Sequence, residues 1–287
     1  MTRIITVTSG KGGVGKTTIT ANIGSALALM GKKVCLIDAD FGLNNLDIPL
    51  GLSNRIVFDI LQVCTGYCSV EQAMVKDKHF SSLYFIPGSR NRLEQICDEQ
   101  IFQQVVSRIA ANHNFDYILI DSPAGIESGF KEAVSAAKEA VVVVTPDRTS
   151  VQDADRVIGL IERQLEVEPY IVINRYREAC ESEYRVDIDY ILSILTSNLL
   201  GIVLEDEEVI KSVQFGKVMA INPNLENGLR LRQITRNLLN HTFDDFVRDN
   251  SAVQQSKLNQ RLNPLMKSRR ANRKMDQGKK RTSFLLR

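Results

Sequence analysis

Short apolar runs alternate with longer stretches of helical spacing along most of the chain. Ile4 to Val7, Val34 to Ile37, Leu83 to Ile86, Tyr117 to Ile120, Val141 to Val144, Tyr170 to Ile173 and Leu199 to Leu204 are almost unbroken in apolar character. Runs of this kind are strands buried on both faces of a parallel sheet. Thr18 to Met30 carries apolar residues at helical spacing and stops at Gly31, and Asp98 to Ala111 is amphipathic with Asp98 as its cap. A further helix is predicted from Ser150, and Glu205 to Glu208 opens another with acids in its first turn, where the helix dipole favours them. Ile56 to Met74 reads as helical and mixed, and Leu225 to Val247 as the helix that completes the body. The alternation predicts an α/β fold with a doubly wound, mainly parallel sheet. It forms a single domain over residues 1–250, followed by a tail over 251–287.

Glycine interrupts the pattern where the first run ends. Gly10, Lys11, Gly12, Gly13, Val14, Gly15, Lys16, Thr17 and Thr18 fit G-x-x-x-x-G-K-[ST], between a predicted strand and a predicted helix. Glycines let consecutive N–H groups converge on an anion, and the helix N-terminus behind them favours negative charge. The loop is thus a phosphate cradle for ATP, in which Lys16 reaches the β/γ-phosphates and the Thr17 hydroxyl holds Mg²⁺. Lys11 has no evident partner in that arrangement and, on the residues alone, could equally be a solvated surface lysine.

Other candidates stand at strand ends, where open α/β sheets bind ligands. Asp40 follows Val34 to Ile37 and could orient an attacking water, bind Mg²⁺ through a water, or cap a turn. Asp121 closes the run Tyr117 to Ile120, the arrangement that holds a Mg²⁺ shell downstream of a phosphate loop, and Gly125 would let the backbone approach the γ-phosphate. Asn174 follows Tyr170 to Ile173. Its amide could read an adenine edge or form a turn.

Composition narrows the setting. The chain has 287 residues, 44% of them hydrophobic, enough for a substantial core. Five cysteines without a C-x-x-C pair predict a reducing compartment, and with three histidines in all, Cys64 and Cys68 read as structural. No signal peptide is expected before the first strand, and no stretch approaches the length of a membrane span. The net charge of +2 conceals an asymmetry, because from Val253 onward eleven basic residues face a single acid, Asp276. That tail is low in apolar content and seeks an anionic surface.

The motif K-G-G-x-G-K-T resembles the deviant Walker A loop of the MinD/ParA/nitrogenase iron protein group of P-loop ATPases. The resemblance implies that Lys11 crosses an ATP-dependent homodimer interface to the partner's phosphates. It implies that residues 38–47 form switch I with Asp40 as the catalytic aspartate, and that Asp121 and Gly125 belong to switch II. Asn174 matches the adenine-reading position. The segment D-S-P-A-G-I-E from Asp121 is of the MinD type, which implies a MinC-type inhibitor, a MinE-type activator of hydrolysis and a role in septum-site selection. The resemblance also places the helix from Ser150 at the dimer and regulator surface. The chain departs from the MinD pattern at Leu204, where a proline is usual beside the adenine. MinD proteins end in an amphipathic membrane helix, and Lys279-Lys280-Arg281 before Phe284, Leu285 and Leu286 resembles that device in part. An anionic membrane is therefore the expected partner, in a bacterial cytoplasm at the inner membrane or in a plastid stroma at the inner envelope, and nucleic acid is not expected. A ParA-type partition ATPase is the alternative, with the basic tail on DNA. An iron protein-type reductase would need bridging cysteines, and Ser128-Gly129-Phe130 supplies none.

Overall fold

The apolar runs assemble into one sheet. In the computed structural model, which describes residues 1–41, 45–89, 98–126, 128–177 and 186–243, they become β1 (Arg3–Ser9), β2 (Val34–Asp38), β4 (Leu83–Ile86), β5 (Tyr117–Ala124), β6 (Glu139–Val144), β7 (Tyr170–Tyr176) and β8 (Asn198–Leu204), joined by the two-residue β3 (Val75–Lys76). The order is β3-β4-β2-β5-β1-β6-β7-β8, and only the β3–β4 pair is antiparallel. β1 therefore lies between β5 and β6, where the winding reverses, and a ligand crevice opens at the carboxyl end of such a strand.

Helices cover both faces. α1 (Lys16–Leu29) and α10 (Glu226–Asn240) pack on the face presented by Ile5, Val7, Leu119 and Val141. The opposite face, with Ile4, Ile118 and Ile120, carries α5 (Glu99–His113) and α6 (Ser128–Ala136), while Val142 and Ile171 meet α7 (Arg148–Leu165) and α8 (Ile188–Leu195). α1 is buried almost all round, down to Asn22 and Ser25, because α10 and the turn Met219–Ile221 enclose its outer side.

Four expectations are corrected. Residues 56–74 are not one helix but α3 (Ile60–Cys64) and α4 (Val70–Ala73), each started by its own capping box at Asp59–Gln62 and Ser69–Gln72. Gly66, at φ 75°, turns the chain between them. Asn174 lies inside β7 rather than in a turn. The helix expected from Ser150 starts at Arg148, because Asp147 accepts from the Ser150 N–H and caps it. The closing helix stops at Asn240, with His241 left-handed at φ 51°. A short α2 (Asp47–Leu50) starts at the last residue of the segment expected as switch I, and α9 (Glu207–Gln214) follows β8 with Asp206 as its cap. The tail from 251, with Phe284, Leu285 and Leu286, lies outside the described residues, as do positions 42–44 of switch I. Among the described residues no helix is long and apolar enough to cross a membrane.

β8 is a sheet edge, and α10 seals it with asparagines. Asn237 donates to the Leu200 carbonyl at 2.8 Å, and Asn227 accepts from the Leu204 N–H at 2.8 Å while donating to its carbonyl at 3.1 Å. Groups that would otherwise invite another strand are thereby paired.

Candidate nucleotide site

β1 ends at Ser9 and α1 begins at Lys16, so the glycine-rich loop crosses the open end of the sheet. Gly13 and Gly15 have φ of 76° and 96°, which side chains on Cβ disfavour. A Cβ on Gly12 or Gly13 would meet nothing within 4 Å, so the loop looks onto open space that an anion can fill. Gly10 is glycine for a different reason. A Cβ there would overlap the backbone of Asp153, so its absence lets α7 pack against the loop. Val14 is buried, and its carbonyl accepts a 2.7 Å hydrogen bond from Asn174 Nδ2, whose amide also fills the place of a Cβ on Gly15. Asn174 thus braces the phosphate loop from β7.

At the start of α1, Lys16 is buried, Thr17 and Thr18 are half-buried, and Asn22 Nδ2 holds the Thr18 carbonyl at 2.8 Å. Beneath them stand two buried carboxylates. Asp38 and Asp121 face each other in register across β2 and β5. Burial pushes Asp121 up to about 6 against the pull of Lys16, Thr17 and Thr20, the last donating its hydroxyl at 2.9 Å. Burial, and then Asp121 itself, drive Asp38 well above the usual carboxylate range. Such a pair is poorly placed for two charges until a cation arrives. Mg²⁺ characteristically takes one or two protein oxygens and completes its shell with phosphate and water. The Thr17 hydroxyl and Asp121 beside an open anion cradle fit that requirement.

Asp38 also shapes switch I. Its Oδ1 accepts from the Asp40 N–H at 2.9 Å and its Oδ2 from the Leu46 N–H at 3.1 Å, so one buried carboxylate pins both ends of the segment that carries Asp40. Asp40 is half-buried and close enough for its charge to act on both Asp38 and Asp121. Gly125, at φ 88°, donates its N–H to the Ser9 carbonyl at 3.0 Å and ties the end of β5 to the root of the loop.

Lys11 stands apart from this cluster. Its side chain is 45% exposed, and Nζ lies 3.3 Å from Oδ1 of Asp147. Burial alone would raise the Asp147 carboxyl, but Thr145, the Ser150 N–H and Lys11 together hold it below the ordinary value. One aspartate thus caps α7 and restrains the second lysine of the loop.

The structure brings Lys16, Thr17, Asp40 and Asp121 to one corner, sets Gly125 and Asn174 against the loop itself, and leaves Lys11 at the rim. Reading the sequence missed Thr20, Asp38, Asp147 and Asn227. Thr20 shares a helix face with Lys16 at a spacing of four, and Asp147 ahead of Ser150 is a helix-start signal. Asp38 stood out only as a strand-end acid without a role, and nothing local marks Asn227; both roles depend on packing.

The sequence model of the CobQ/CobB/MinD/ParA nucleotide binding domain matches residues 5–219. The septum site-determining protein MinD of Bacillus subtilis is 45% identical over 242 residues, 83% of this chain and 90% of the relative. MinD from a MinC:MinD cell division protein complex of Aquifex aeolicus superposes with a TM-score of 0.78 at 42% identity, covering 84% of this chain and 97% of that one. MinD of Pyrococcus horikoshii, solved with Mg-ADP, gives 0.75 at 27% identity, with 87% and 98% covered. With the loop, the paired strand-end carboxylates and these likenesses together, the chain belongs to the septum site-determining MinD ATPases of the CobQ/CobB/MinD/ParA nucleotide-binding family.

Proposed function

We propose that the chain is a switch for placing the division site, in which ATP joins two copies and hydrolysis parts them. The observation that carries this reading is the position of Lys11. Lys16 is the buried lysine of the site, whereas Lys11 is half-exposed at the rim and restrained only by a surface carboxylate. An exposed ion pair of that kind is worth under about 1 kcal/mol, so Lys11 exchanges it readily for a phosphate of a second copy.

Within each site, Lys16 and the amides of Gly12, Gly13, Val14, Gly15, Thr17 and Thr18 bind the phosphates. Thr17 and Asp121, with Asp40 beside them, would hold Mg²⁺, which would supply charge stabilisation to the phosphoryl oxygens. Asp40 orients the attacking water, Gly125 senses the γ-phosphate, and Asn174 lines the adenine. Lys11 neutralises charge that develops as the bond to the γ-phosphorus breaks. The Aquifex MinC:MinD complex supports a MinC-type inhibitor as partner. A MinE-type activator would drive release, and the basic tail with Phe284, Leu285 and Leu286 would attach the pair to an anionic membrane surface, two weak anchors gaining avidity together.

Lys11→Ala tests the reading. Mg-ADP affinity should be retained while activator-stimulated turnover falls at least about a hundredfold, as for loss of one transition-state donor. Stimulated turnover equal to that of the unaltered chain would refute the crossing lysine.

A further inference from the structure

The base of the nucleotide has two directions to lie in once its phosphates occupy residues 10–18. Toward β2 and β5 it would meet Asp38, Asp40 and Asp121, which is the metal side. Toward β7 and β8 it meets Asn174, braced against Val14, and beyond it residues 204–206, held to β7 by the Glu205 N–H on the Tyr176 carbonyl at 2.8 Å. The direction away from the buried carboxylates Asp38 and Asp121 suits a purine. Segment 204–206 then forms its outer wall.

Pairing with β7 and the ion pair of Glu205 with Arg177 at 2.7 Å hold that segment from its inner side. Leu204 closes an edge strand, so its outward N–H and carbonyl lack a neighbouring strand. Asn227 of α10, 1% exposed, takes both, with Oδ1 on the N–H and Nδ2 on the carbonyl. Nδ2 also lies 3.4 Å from Oδ2 of Asp206, whose other oxygen caps α9 by accepting from the Glu208 N–H at 2.9 Å. One carboxamide therefore sets the last residue of β8 and the first cap of α9. The frame behind it is tied to the phosphate helix, since Asn22 of α1 accepts from the Ala220 N–H at 2.9 Å and Arg232 of α10 donates to the Ile221 carbonyl at 2.9 Å.

We propose that Asn227 is a positioning residue for the nucleotide base: its carboxamide, clamped on both backbone groups of Leu204, holds segment 204–206 where the purine packs. A proline at 204 would reach the same end by another route, because its ring fixes φ and its nitrogen needs no acceptor. At an edge strand such a proline is tolerated. The inference rests on the ATPase reading of the site and adds to it the residue that holds segment 204–206 in place.

The test measures binding of Mg-ADP and of inorganic pyrophosphate, which has no base, to the full chain by calorimetry. Asn227→Ala should weaken Mg-ADP about five- to tenfold, the equivalent of a buried hydrogen bond or slightly more, and leave pyrophosphate within about twofold. Adding Leu204→Pro to that variant should restore Mg-ADP binding. Unchanged Mg-ADP affinity, or equal losses for both ligands, overturns the positioning role. If Asn227→Ala does not fold, Asn227→Asp keeps the acceptor for the Leu204 N–H, removes the donor, and is held to the same outcomes. Photolabelling with 8-azido-ADP separates the two layers of the argument. Label outside residues 174 and 204–206 removes the base pocket from this place, whereas label there with an unaffected Asn227→Ala variant removes only the clamp.

Discussion

Asp121 is a buried carboxyl group whose charge Lys16, Thr17 and Thr20 offset only in part. Its folded value of about 6 lies above the ordinary 3.8 because burial disfavours the anion. Between those values the folded state binds more protons than the unfolded one, so stability falls as pH rises through the window and stays lower above it. At about 1.4 kcal/mol per unit the cost is a few kcal/mol, and Asp38 pushes the same way. Metal-free protein should therefore gain stability from Asp121→Asn at pH 7 and little at pH 4, which thermal melts at the two values would detect. Equal effects at both would contradict the assignment. The same scale holds the restraint on Lys11. Asp147→Asn keeps an acceptor for the Ser150 cap but removes the ionic hold, so ATP-driven dimers should form at concentrations up to about twenty-five-fold lower, the worth of two exposed pairs, one from each copy. Sedimentation against concentration reads this directly, and an unmoved midpoint would mean that Asp147 exerts no restraint. Lys16, Thr17, Asp121 and the glycines could be named as candidates from the sequence because the motif states its own chemistry, and the fold brings them together. Asp38 was visible as a strand-end acid, but its task was not, since it accepts two N–H groups from a loop whose path the sequence does not reveal.

Among the elements, the continuous apolar strands were read correctly because burial on both faces leaves no ambiguity of period. Their short neighbours were not. Residues 56–74 carry enough apolar positions for a helix, yet two capping boxes and Gly66 divide them, and local hydrogen bonding overrode spacing. α6 and α8 went unread, and α1 was recognised although it is buried nearly all round, because its start is fixed by the loop rather than by a polar face. α10 shows how an element can serve two purposes. Asn227 acts at the site end of β8, whereas Asn237, 2% exposed, holds Leu200 farther down the strand and itself accepts from Gln233 and Thr242. Asn237→Ala should cost about 1–3 kcal/mol, the penalty for a buried group left unpaired, with Mg-ADP affinity unaltered. Denaturant titration measures the first quantity, and a matching loss of affinity would show that the two asparagines cannot be treated separately.

For the whole molecule, the charge division between an acidic body and a basic tail leads to an expectation about surfaces. ATP, but not ADP, should carry the full chain down with anionic vesicles, and truncation after Asn250 should abolish pelleting. DNA binding without vesicle binding would instead favour the partition reading. The described body ends beside β7, where Phe243 and His241 meet Tyr170 at the amino end of that strand, away from the phosphate loop. The two margins of the sheet have a consequence of their own. One is closed by β3, two residues long, antiparallel and ending in the exposed Lys76; the other is sealed by α10. Neither offers a ladder on which another copy could continue the sheet, so filaments grown by strand addition are closed to this fold. Self-association is confined to the strand ends and helix faces, and there it can answer to the nucleotide.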